Sequence, residues 1–321
     1  MKNIVICSDG TGNEYGDHNT NVVLIYTVAS RTDSQITFYD PGVGTGGWEY
    51  DELKNTLQAK HDQTTGGGLQ KNVEDAYCFL MQCFAEGDRV YLFGFSRGAF
   101  TVRSLAGMLH KCGLLERGND NLLEYASKLY NTKDNDAIAQ GFKDTFSRSC
   151  PVYFIGVWDT VESLAMNAKK KFHDARLNPA VRFGYQAISI DERRKDFKPS
   201  LWDDANIPQN QTMEQMWFAG VHSDVGGWYD ERGLSNIALQ WMLKKAKDSG
   251  MQVDEGAAAG YAADPHGEIH ESYAGFWKIR GSYRRKIPEG ALIHSSVVER
   301  TKKVSNKYAP KNLPANYRVV D

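Results

Sequence analysis

The sequence predicts an α/β protein of the α/β-hydrolase type: a mostly parallel sheet, helices on both faces, and an inserted cover segment. Three observations carry this expectation. Short apolar runs closed by Gly, Asp or Pro alternate with longer stretches whose apolar residues recur at helical spacing. That alternation of strand and helix is the pattern of a parallel sheet covered on both sides. One of the runs leads straight into Gly94-Phe95-Ser96-Arg97-Gly98, and a helical pattern leaves it.

The elements follow in order. Residues 3–7 (NIVIC) form a short apolar run stopped by Ser8-Asp9-Gly10, and so read as a buried strand. Residues 21–30 read as a helix. Residues 36–39 are a second strand, halted by Asp40-Pro41-Gly42. Two Gly-rich loops follow, at 42–47 and 66–68. Leu69, Val73, Ala76, Tyr77, Leu80, Met81 and Phe84 then mark a helix that Gly87-Asp88 breaks. Residues 90–95 are a third strand, with helices over 99–110 and between 121 and 148. Residues 152–158 (VYFIGVW) and 216–221 (MWFAGV) are the fourth and fifth strands, and 234–247 is a helix. The polar, charged segment 162–211 interrupts the alternation, and is expected to be an insertion over the sheet edge, partly helical and beside the site. Residues 1–321 are expected to form one domain, and the tail after Gly250 matches no clear element.

Composition narrows the function. Hydrophobic residues make up 41% of the 321, enough for a full core, so a disordered chain is not expected. The 38 basic and 40 acidic residues leave a net charge of −2, which offers nucleic acid no electrostatic grip. The Lys169-Lys170-Lys171 run reads as a solvated loop. The five cysteines, Cys7, Cys78, Cys83, Cys112 and Cys150, show neither zinc nor disulfide spacing and read as reduced thiols. No stretch approaches the ~20 apolar residues of a membrane span, and the N-terminus lacks a signal-peptide core. A cytoplasmic protein, or one exported without a signal peptide, is expected.

Ser96 stands where the nucleophile of a strand–turn–helix elbow stands. A hydroxyl needs a base to take its proton, and the base needs a third group to orient it. In α/β hydrolases the chain order is Ser, then Asp or Glu, then His. Asp159 follows the fourth strand and His222 the fifth, so all three lie at the carboxyl ends of strands, where sites of open sheets gather. Asp159 could instead cap a helix, and His294 is the main rival to His222, less favoured on chain position. For the oxyanion, Arg97 N–H is one expected donor, and Gly10 or Thr11 the other, on a loop that Asp9 orders. Read as a phosphate cradle, the same loop lacks the P-loop lysine. No metal-ligand cluster and no cofactor is expected; Asp224 has no ligand partner by spacing. Trp48, Trp158, Trp217 and Trp228 could line an acyl pocket, but all except Trp228 read more readily as core.

These segments together resemble a bacterial and fungal family of α/β-hydrolase domains that includes the catalytic domain of type VI secretion phospholipase effectors of the Tle type. The matching pieces are the loop after the first strand (Asp9-Gly10-Thr11-Gly12-Asn13), residues 39–45 (YDPGVGT), Gly94-Phe95-Ser96-Arg97-Gly98-Ala99-Phe100, residues 157–161 (VWDTV), Asp191-Glu192-Arg193-Arg194, and residues 220–227 (GVHSDVGG). His294-Ser295-Ser296-Val297 is similar to a late motif of the family. The resemblance spans about residues 3–300. It implies a Ser96–Asp159–His222 triad and hydrolysis of carboxylic esters, with phospholipids the substrate of the secreted members. Trp228 departs from the family, which often has Gly there. Composition alone favours soluble or dispersed esters, since the chain shows no strongly basic amphipathic helix. An ester or lipid is therefore the expected partner, membrane contact without integration is allowed, and nothing selects an immunity protein or an oligomer. The rival classes are a catalytically silent module on the same fold, against which the ordered triad argues, and a phosphate-binding protein.

Overall fold

The computed structural model describes residues 1–10, 13, 15–42, 67–161, 176–302 and 308–321. Eight strands form one sheet: β1 Asn3–Ser8, β2 Gln35–Asp40, β3 Arg89–Phe95, β4 Val152–Trp158, β5 Phe183–Ser189, β6 Thr212–Phe218, β7 Leu292–His294 and β8 Arg318–Val320. Their order is β8-β7-β6-β5-β4-β3-β1-β2, and every pairing is parallel. The helices used below are α1 Asn21–Val28, α2 Gly67–Cys83, α3 Arg97–Cys112, α4 Leu123–Asn131, α5 Asp136–Phe146, α6 His222–Gly226 and α7 Gly233–Asp248.

The central strands are apolar on both faces because both are covered. Side chains alternate along β1: Ile4 and Ile6 join one core with Tyr77 and Leu80 of α2 and Leu105 and Leu109 of α3. Val5 and Cys7 join the other, with Ile25 of α1 and Leu239 and Met242 of α7. Trp158 and Trp217 are core residues, as expected; Trp48 lies outside the described residues. All five cysteines are free thiols.

The register sets the site. Ser8 pairs with Gly94, Phe95 with Trp158, Trp158 with Ala187, and Ser189 with Phe218. The carboxyl ends of β1, β3, β4, β5 and β6 therefore meet along one edge of the sheet. The strand order reverses at β1, which lies between β2 and β3, so the edge beside β1 and β3 is the switch point at which such sheets bind ligands.

Three expectations change. The segment 162–211 is not wholly an insertion: its residues 183–189 are β5, a central strand, and residues 162–175 lie outside the described ones. FGYQAIS hides this because a polar Gln186 sits mid-strand, buried, with its amide donating to the Ser200 carbonyl. The last central strand begins four residues earlier than expected and ends at Phe218, where Gly220 turns the chain at φ +107°. The tail adds β7 and β8 to the sheet edge.

Candidate active site

The elbow is built by two glycines and a strained serine. Ser96 takes φ 57°, ψ −116°, a sparsely populated conformation held by the strand before it and the helix after it. A Cβ on Gly94 would stand 2.5 Å from the Gly98 carbonyl oxygen, and one on Gly98 would stand 2.1 Å from that of Ser8. Only glycine lets β3 turn into α3 this tightly against β1. Ser96 N–H donates to the Trp158 carbonyl at 3.0 Å, tying the elbow to the strand that ends in Asp159.

Asp159 is fully buried and collects donors. His222 Nδ1 lies 2.5 Å from its Oδ2, and Ser189 N–H donates to its Oδ1 at 3.0 Å. Arg285 grips both oxygens, through Nη1 to Oδ1 and Nη2 to Oδ2 at 2.9 Å. Burial would raise this carboxyl, but the Arg285 charge and then the His222 hydrogen bond overcome it and hold it well below the usual carboxylate range. An ionised Asp159 fixes the tautomer: the proton sits on Nδ1, and Nε2 is left as the basic nitrogen. Burial lowers the His222 imidazole, with Asp159 opposing, so the ring is neutral at pH 7. Its face lies on Phe95, the residue before Ser96, at 4.6 Å between centroids, and Phe197 meets it edge-on at 4.9 Å.

The Asp191-Glu192-Arg193-Arg194 motif holds this histidine in place. It does so as a loop whose carboxylates find their partners across the chain. Asp191 Oδ2 accepts from Gly220 N–H at 2.7 Å, bracing the turn before His222. Glu192 Oε2 accepts from His222 N–H at 3.3 Å, and Arg194 satisfies both Glu192 oxygens. Arg193 reaches outward to Glu271. Two residues beyond His222, Asp224 accepts from Val221 N–H and meets His270 Nδ1 at 2.6 Å, which clasps the tail onto α6.

The expected oxyanion donors fare differently. Asp9 does order its loop, taking hydrogen bonds from Thr20 and Tyr39 hydroxyls at 2.9 and 3.0 Å, and burial pushes its carboxyl up to about 6. It also takes Gly10 N–H, at 2.7 Å. That proton is spent on Asp9, so Gly10 supplies closeness rather than a hydrogen bond: a Cβ there would lie 3.4 Å from Ser96 Cβ. Thr11 lies outside the described residues. Arg97 opens α3, where a backbone N–H has no intrahelical acceptor.

His294 is placed apart from this cluster. It ends β7, stacks on Phe218, and its Nδ1 faces the Ser296 hydroxyl at 2.8 Å, with burial lowering it to about 4. Trp228 is half-buried at φ 112°, its ring 6.0 Å from that of His18. Among the described residues no group of three His, Cys, Asp or Glu could hold a metal ion, and no helix is long and apolar enough to cross a membrane. Arg285 and His270 were missed from the sequence, and Glu192 was singled out there only as part of a motif, without a role. Arg285 had no signal there, since its meaning is a pairing 126 residues away.

Residues 2–245 match the family model described as T6SS, phospholipase effector Tle1-like, catalytic domain. That is most of the chain, and the chain belongs to this family. An uncharacterized protein of Saccharomyces cerevisiae is 35% identical over 218 residues, which cover 61% of this chain and 32% of the yeast protein. The chain thus spans about a third of that relative, and the likeness reaches beyond bacteria. A crystal structure of an uncharacterized protein from Pseudomonas aeruginosa superposes with a TM-score of 0.46 at 18% identity, covering 83% of this chain and 49% of that one.

Proposed function

We propose that this member of the phospholipase effector family is a serine hydrolase that cleaves carboxylic ester bonds of lipids, with phospholipids the favoured class. The observation that carries the reading is the buried Asp159–His222 pair at 2.5 Å, its ring packed on the residue before a strained Ser96. The family's name supplies the lipid class.

In this reading Ser96 Oγ attacks the ester carbonyl carbon while its proton passes to His222 Nε2. Asp159 stabilises the imidazolium that forms. The carbonyl oxygen becomes an oxyanion that accepts hydrogen bonds from Arg97 N–H and from Thr11 N–H, the second donor that the sequence offers. The intermediate collapses, the alcohol leaves with the proton from Nε2, and the acyl group stays on Ser96. Water then attacks the acyl-enzyme with His222 again as base. This releases the fatty acid and restores the serine.

The test is labelling with a fluorophosphonate alongside hydrolysis of substrates from acetyl esters to phospholipid vesicles. Parent protein is labelled and releases fatty acid; Ser96→Ala loses both and melts at the parent temperature, because among the described residues the hydroxyl has no hydrogen-bond partner to lose. Label retained by Ser96→Ala, or release of a headgroup without fatty acid, overturns the assignment.

A further inference from the structure

Beside the site, a ribbon ends in a bare apolar tip. Residues 193–195 run against 281–283: Lys195 N–H donates to the Gly281 carbonyl at 3.2 Å and Tyr283 N–H to that of Arg193 at 2.8 Å. At the end of this ribbon is a single helical turn, Trp277–Arg280. Phe276 and Ile279 on it are 65% and 84% exposed. Soluble surfaces scatter single apolar residues, but here two large ones flank one turn while Trp277 between them points back into the protein. Trp277 meets Phe197 edge-on at 5.3 Å, and Phe197 is the ring that meets His222. Arg285, which holds Asp159, also donates to the Phe197 carbonyl at 2.7 Å. The tip is therefore joined to the catalytic pair through two rigid contacts.

Within residues 193–198 and 276–286 the exposed charges left unpaired among the described residues are basic. Lys195, Lys278, Arg284 and Lys286 are exposed, and none has a carboxylate partner among the described residues. The nearby Asp196 and Glu271 are taken by Arg280 and Arg193. In a chain of net charge −2 this is a local excess.

Resting on the ester-hydrolase reading of the site, we propose that this face seats the enzyme on an anionic phospholipid surface, Phe276 and Ile279 entering the interface and the four cations meeting headgroups. Apolar side chains inserted among acyl chains, with basic residues around them, are the chemistry by which proteins lie on such membranes. An acidic protein would satisfy the cations but leaves Phe276 and Ile279 without a reason to stand beside a site for lipid esters. The sheet edge carrying Ser96 would then face the surface that holds its substrate.

Binding is measured apart from hydrolysis, by co-sedimentation of the full chain carrying Ser96→Ala with vesicles of phosphatidylcholine alone or mixed with phosphatidylserine. The expected result is binding to the mixed vesicles, weakened about tenfold or more by Phe276→Ser with Ile279→Ser, the factor that burying large apolar side chains carries. Lys278→Glu with Lys286→Glu weakens it severalfold, on the mixed vesicles only. With Ser96 restored, both pairs hydrolyse a short soluble ester within about twofold of parent, since neither touches the triad, while release of fatty acid from vesicles falls with binding. No binding to either vesicle, or binding indifferent to both pairs, overturns the inference and leaves the triad standing. Ester hydrolysis that survives Ser96→Ala overturns the site reading and leaves vesicle binding to be judged by itself. Loss of soluble-ester hydrolysis in both pairs would make the tip part of the fold rather than a docking face.

Discussion

Arg285→Met separates the electrostatic role of this arginine from its structural one. Arg285 and Asp159 are both 0% exposed, and Arg285 supplies two of the carboxylate's hydrogen bonds. Removing one partner of a buried pair costs roughly 3–5 kcal/mol, against a typical total of about 5–15 kcal/mol, so the variant is weakened but folded at low temperature. The pH effect has a definite sign. With the positive charge gone, Asp159 acts on His222 uncompensated, and both groups hold their protons to higher pH. If the guanidinium and imidazole lie on the order of 7 Å apart through the carboxylate, an effective dielectric of ~20 gives roughly 2 kcal/mol, or between one and two pH units. Only a neutral imidazole can take the serine proton, so activity is lost as pH falls through the His222 value. The acid limb of kcat/KM on a short soluble ester should therefore move up by about one to two units in Arg285→Met, and stay near parent in Arg285→Lys, which keeps the charge. An unmoved limb, with rates lowered equally at every pH, would refute the electrostatic argument and leave Arg285 as packing.

Three further outcomes follow from the same geometry. His222→Ala should match the Ser96→Ala defect, since triad members act as one unit, while His294→Ala, whose ring bonds to the hydroxyl and backbone N–H of Ser296, should cost far less; kinetics in the reverse order make His294 the base. Gly226→Ala would place a Cβ 2.0 Å from the Phe95 ring on which His222 rests; overpacking of about 1–3 kcal/mol should appear as a lower melting temperature together with a lower kcat, and a loss of stability alone would separate the ring from the base. Burial raises the Asp40 carboxyl to about 7 in the fold, against 3.8 unperturbed, so the folded state keeps this proton longer and the group costs stability increasingly across that range. Relative to parent, Asp40→Asn should gain melting temperature from pH 4 to 7 and level off above, and a difference independent of pH refutes the shift.

The sheet was legible where burial is two-sided. β1, β3 and β4 read as unbroken apolar runs because each of their faces meets a helix layer. β5 did not, since Gln186 is tolerated by a hydrogen bond to Ser200 that no local pattern announces. β8 lies at the sheet edge with none of its residues buried, so little burial is written into its sequence. The elbow was legible because its constraint is local: Gly94 and Gly98 are required by atoms within a few residues and by the adjacent β1. The Gly10 N–H was misjudged for the opposite reason, its acceptor being the neighbouring side chain rather than a ligand.

The residues that order the base were the least legible, and the geometry explains why. Serine, aspartate and histidine announce themselves by type and chain order, whereas their supports are ordinary charged residues defined by distant partners. Glu192 fixes the His222 backbone from 30 positions away, and His270 reaches Asp224 across 46. Arg285 sits in a basic stretch that looks solvated, yet it is the one residue there driven to full burial, because an ionised carboxylate without it would carry the desolvation cost alone. Both His270 and Arg285 lie beyond residue 245, where the family match ends. The tail is thus bound into the same charge network as the triad: the matched portion carries the reacting groups, and the residues after it hold their charges in balance.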